Sequence, residues 1–128
     1  MEFYLTQEQL TGNLRLGKSV EQWLGHAAID DYIILKWLRI DKEKTGEYSV
    51  AYFQSFDEGN REFIDIYEFS AVDPDDMFGV IHSFPELDEA LRFAVENYAA
   101  SLNKFVSAGM IQQEYLNYLN SKPNNSPM

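Results

Sequence analysis

An α+β fold is what this sequence predicts: an antiparallel meander of three to four strands, two C-terminal helices packed on one face, and a helical segment at the N-terminus. Three observations predict it. The middle of the chain holds runs dense in β-branched and aromatic residues, joined by polar, Gly-containing connectors short enough for hairpins. The last third switches to apolar residues at helical spacing. A hydrophobic fraction of 45% over 128 residues suits one domain with its own core, here residues 1–120, ahead of a flexible polar tail at 121–128.

The expected strands are Tyr32–Ile40 (YIILKWLRI), Glu47–Phe56 (EYSVAYFQSF) and Glu62–Ser70 (EFIDIYEFS). Asp73-Pro74-Asp75-Asp76 breaks the meander, and Gly79–Phe84 returns as a fourth strand. Closing the hairpins symmetrically puts Leu35, Trp37, Ala51, Phe53, Ile64 and Ile66 on one face. Leu38, Ile40, Tyr48, Val50, Tyr52 and Tyr67 then share the other.

Ser83 and Glu86, with Pro85 between them, form a capping-box pattern for the first C-terminal helix. Its apolar stripe is Leu87, Leu91, Ala94, Val95, Tyr98, Leu102 and Phe105, with Gly109 as the stop. A last helix is expected from about Met110 to Leu119. Near the start, Thr6…Gln9 predicts a helical turn at 6–11 and Ser19…Gln22 a helix at 19–28. Trp37, Phe53, Ile64, Leu91, Val95 and Tyr98 are the expected common core.

Charge sets the functional class. Twenty-one acidic residues against ten basic ones give a formal net charge of −11. Such a surface steers a basic partner in and is repelled by phosphate backbones and anionic lipid. Nucleic acid and membrane are therefore not expected partners. No Cys is present, which removes disulfides, thiolate metal sites and cysteine nucleophiles, and fits a cytoplasmic location. The opening MEFYLTQEQL has neither the basic nor the apolar region of a signal peptide.

The chemistry-bearing patterns are few. Gly12-Asn-Leu-Arg-Leu-Gly17-Lys18-Ser19 matches the phosphate-binding string G-x-x-x-x-G-K-[ST]. Its context argues against that role: the preceding segment is polar, Leu14 and Leu16 occupy the loop interior, and the following strands read as antiparallel. The structural reading is a turn with buried Leu14 and Leu16, and Ser19 capping a helix. His26 and His82 are far apart and have no ligand spacing. Asp73–Asp76 and Asp57–Asn60 do not fit a calcium loop. No catalytic residue, cofactor or metal is expected, and the chain reads as a non-enzyme.

What remains is a surface of tyrosines among carboxylates. Tyr48, Tyr52 and Tyr67 are expected near Asp65, with Glu62 and Glu68 beside them and Asp73, Asp75 and Asp76 in the acidic turn. Tyr buries large area at low entropic cost, while acids set the on-rate toward a basic surface.

Size, acidity and the segments Phe84-Pro-Glu-Leu-Asp-Glu-Ala-Leu-Arg-Phe93 and Gly109-Met-Ile-Gln-Gln-Glu-Tyr115 give a resemblance. The chain resembles immunity proteins of bacterial toxin–immunity pairs, the contact-dependent growth inhibition type being nearest. The resemblance implies specific binding, as monomer or dimer, to a cognate toxin domain, often a nuclease with a basic active site. It carries over no residue by position. Two other readings stay open: an acidic secretion chaperone, which would bind an effector segment as a dimer, and a nucleotide-binding enzyme through Gly12–Ser19.

Overall fold

The computed structural model describes residues 3–121. β1 (Val20–Ile29), β2 (Tyr32–Lys42) and β3 (Tyr48–Phe56) form successive antiparallel hairpins. β4 (Val80–Phe84) adds outside β3, and the two-residue β5 (Val106–Ser107) outside β1, giving the order β4-β3-β2-β1-β5. With α1 (Gln7–Arg15), α2 (Leu87–Tyr98) and α3 (Ile111–Ser121) the fold is α+β on an open antiparallel sheet.

Trp37 pairs with Phe53 and Leu38 with Tyr52, so β2 and β3 present to each face the residues expected from the sequence. Alternation along these strands then builds a core on each face. Leu38, Ile40, Tyr48 and Val50 pack with Leu10 and Leu14 of α1 and Leu87, Ala90, Leu91 and Ala94 of α2. On the reverse face, Leu35 and Trp37 pack with Ile66, Phe69 and Ile111, Tyr115 and Tyr118 of α3. The C-terminal helices therefore lie on opposite faces, not together; α1, not α3, is α2's companion. The expected common core splits accordingly: Trp37, Phe53 and Ile64 belong with α3, Leu91 and Tyr98 with α2, and Val95 is 38% exposed.

Three elements differ from their sequence patterns. The segment 19–28 is strand β1, paired with β2 along its length, so tertiary pairing overrides the Ser19…Gln22 cap signal. Glu62–Ser70 is not a strand. It crosses the sheet through a 3₁₀ turn at Ile66–Glu68, and its buried residues, Ile66 and Phe69, stand three apart as that geometry requires. α2 stops at Tyr98, with Ala99 left-handed at φ 58°. Phe105 reaches the core from the loop beyond, and Gly109 precedes α3 instead of ending α2. Glu86 occupies the N-cap position of α2 without a side-chain capping bond, while Ser83 lies in β4 and donates to Glu43. The tail expected at 121–128 lies outside the described residues from 122 onward.

The phosphate-loop string resolves into a helix end. Thr6 and Gln9 form the capping box of α1, which runs through Arg15. Gly17 then turns left-handed at φ 84°, where only Gly sits without strain. Its N–H donates to the Leu14 carbonyl at 3.0 Å, and the Lys18 N–H to Asn13 at 2.8 Å, the paired bonds of a Schellman motif. Those amides satisfy helix carbonyls and do not converge on an anion, at the negative end of the helix dipole. Leu14 is buried, but Leu16 is 75% exposed, contrary to expectation. Ser19 caps nothing; its hydroxyl bonds to Asp41.

Candidate functional site

The structure divides the tyrosines and acids that the sequence grouped. Tyr48 is buried in the α1/α2 core. Tyr52, on the same face, stacks on Tyr98 with centroids 4.2 Å apart and planes 5° from parallel. Burial pushes its hydroxyl pKa up. Tyr67 is on the opposite side, edge-on to Trp37 at 5.6 Å. Asp65 is half-buried and accepts from Gln112 of α3, while Glu62 sits exposed in the Asn60–Phe63 turn. Two smaller groupings do form. Tyr52, Asp73 and Asp76 border a shallow depression with Val80, and Tyr67, Glu68 and Asp76 border a larger cleft.

That cleft, about 580 Å³, opens on the α3 face between the 66–71 crossing and the turn at 76–78. β2 and β3 supply its floor. Trp37 and Phe53, directly opposite in the ladder, stack at 4.1 Å with planes 11° apart. Tyr67, Phe69, Met77 and Phe78 add apolar wall, and Arg39, Glu68 and Asp76 are its charged residues. Asp73 caps the acidic turn by accepting the Asp75 N–H at 2.9 Å. Asp73, Asp75 and Asp76 are all exposed. Gly79 lets the chain turn into β4: it sits at φ 88°, and a Cβ there would come within 3.1 Å of the Phe53 ring and the Tyr52 carbonyl.

Behind the cleft is a polar anchor. Glu21 is fully buried. Its carboxylate accepts from Arg39 at 3.1 Å, from the Tyr67 hydroxyl at 2.6 Å, and from the amides of Gly109 at 2.8 Å and Ile111 at 3.3 Å. The amide bonds seat it at the N-terminus of α3, where a negative charge meets the helix dipole. Arg39 also pairs with Asp41 at 3.0 Å. Burial works against the Arg39 charge, but Asp41 and Glu21 outweigh it and hold the guanidinium above its ordinary range. Burial and the Glu21 bond push the Tyr67 hydroxyl far up. One carboxylate thus fixes β1, β2, the Tyr67 turn and α3 relative to one another.

Beyond the cleft, β4 is an outer strand with β3 as its neighbour. Exposed apolar side chains follow one another along residues 72–81: Phe78 at 75%, Met77 at 63% and Ile81 at 55%, with Val72 and Val80 at 36% each. Val80 shares the sheet face of Tyr52, and Ile81 the opposite face with Ala51. The sequence reading passed over these residues, and over Trp37, Arg39, Phe53 and Glu21 as parts of a site. The signal available was Met77-Phe78, two large apolar residues directly after an Asp-rich turn.

Among the described residues no group of three or more His, Asp or Glu side chains gathers that could hold a metal ion. No helix among them is long and apolar enough to cross a membrane. Comparison with protein-family models, curated proteins and solved structures finds no match to this chain.

Proposed function

We propose that this chain is a protein-binding module that neutralises a basic protein partner, acting as a cytoplasmic immunity protein against a cognate toxin domain, with a nuclease as the favoured toxin class. The observation that carries the reading is the apolar rim of β4 set in acid. Val72, Met77, Phe78, Val80 and Ile81 are exposed, and the exposed Asp73, Asp75 and Asp76 stand among them along the chain. Exposed apolar patches rimmed by polar residues mark interaction sites. An open sheet edge is a liability that native proteins blunt with charge, Pro or cover. Here the edge strand itself, VIHSF, carries no charged residue. Its acids stand before it in the 73–76 turn, where they attract a basic surface without interrupting the apolar contact.

The test is to mix the purified protein with the product of the adjacent reading frame and to assay that product's activity. Stoichiometric binding that abolishes the activity is the expected result. A neighbouring product that shows neither binding nor loss of activity would overturn the reading.

A further inference from the structure

We infer that the cleft between the 66–71 crossing and the 76–78 turn receives an arginine side chain of the protein partner. The inference rests on the protein-binding reading above and names what that partner inserts.

The cleft is lined by aromatic residues, and the rings open to a guest are those of Phe53, Tyr67 and Phe78. Trp37 is 3% exposed and lies flat on Phe53, with Tyr67 closing one side. Glu68 and Asp76 are exposed members of the cleft, contributed by its two walls. Neither pairs with a cation among the described residues. Arg39, the one cation among the described residues lining the cleft, is held by Glu21 and Asp41. A space with aromatic surfaces inside and unpaired carboxylates at its walls suits a planar cation that stacks and hydrogen-bonds in its own plane. Guanidinium does both and sheds its hydration more readily than ammonium. An anionic occupant would face those two carboxylates and the −11 net charge of the chain.

The indole Nε1 of Trp37 is buried with no hydrogen-bond partner. Guanidinium has only donors and leaves it unpaired, so this N–H serves as a reporter of the floor. The chain has two Trp, and the other, Trp23, packs against Tyr118 on α3.

The experiment is a titration of the full-length, ¹⁵N-labelled protein with the tripeptide acetyl-Gly-Arg-Gly-amide, read at both indole N–H signals. The Lys and citrulline analogues serve as controls. A saturable shift of the Trp37 signal with the Arg peptide is expected, with Trp23 unmoved. Affinity should fall roughly tenfold for the Lys and citrulline analogues and in Glu68→Gln/Asp76→Asn. Both substitutions are at exposed positions, so the fold is preserved. No saturable Trp37 shift, equal response to citrulline, or indifference to the double substitution would each overturn the inference. The two readings fail separately. If the neighbouring product binds and Glu68→Gln/Asp76→Asn leaves its affinity unchanged, the arginine site is wrong and the protein-binding reading stands. If the Arg peptide titrates as expected while that product neither binds nor is inhibited, the site stands and the partner assignment falls.

Discussion

Replacing Glu21 with Ala leaves the Ile111 amide and the Tyr67 hydroxyl without an acceptor, and the Gly109 amide with the Tyr67 oxygen alone. Each buried donor left unpaired costs about 1–3 kcal/mol. Glu21→Ala should therefore lose several kcal/mol in urea denaturation, and Glu21→Gln, which keeps an acceptor oxygen, distinctly less. Equal losses would mean that the hydrogen bonds do not carry the anchor. Glu114 offers a pH test. Burial raises its pKa, against the Tyr4 bond, the Asn117 bond and the nearby Lys104 charge. The folded chain then holds this proton to higher pH than the unfolded chain does. Between the two pKa values the folded state binds more protons, so stability falls as pH rises. The contribution is complete below the unfolded value and gone above the folded one. Glu114→Gln lacks this titration, so its stability relative to wild type should rise as pH climbs through the carboxylate range. A pH-independent difference in melting temperature would contradict that.

At the scale of elements, Leu91 tests the placement of α2. It is buried in the α1-side core, and truncation to Ala should cost about 2–5 kcal/mol. A loss below roughly 1 kcal/mol would mean that the stripe faces solvent. Gly17→Ala tests the helix-end reading of the G-x-x-x-x-G-K-S string. A Cβ in the left-handed conformation costs roughly 1–2 kcal/mol, while the space around Gly17 is open. The loss should appear in stability alone.

How far the elements were legible follows from the physics of each. β2 and β3 could be read because alternation is local, and the faces it assigns agree with the pairing observed. The capping box of α1 and the apolar face Ile111, Tyr115, Tyr118 of α3 were equally local. β1 was misread because VEQWLGHAAI alternates weakly and follows a cap-like Ser; its strand character comes from pairing with β2. The 62–70 crossing shares its β-rich composition with strands, and only its tertiary docking tells them apart. For the site, charge and the acidic turn were visible in composition. The separation of Tyr48 from Tyr67 was not, because it depends on where the third segment lies.

For the whole molecule, the two faces divide labour. α1 and α2 close one side of the sheet with a largely aliphatic core that also holds Tyr48 and Phe105. The other side is aromatic, carries the Glu21 anchor, and is incompletely covered by α3, which leaves the cleft and the β4 rim open. Binding energy is expected to centre on Phe78, the most exposed aromatic of the rim, and the rate of encounter on the acids around it. Surface-plasmon kinetics against the neighbouring gene product, at low and high salt, test this division most directly. Wild type should show an on-rate that falls steeply with salt. Phe78→Ala should leave that on-rate in place and raise the off-rate about thirtyfold, the effect of a hot-spot residue worth about 2 kcal/mol. Asp73→Asn/Asp75→Asn should slow association and leave dissociation nearly unchanged. A salt-independent on-rate, or a Phe78→Ala variant that dissociates like wild type, would contradict the account.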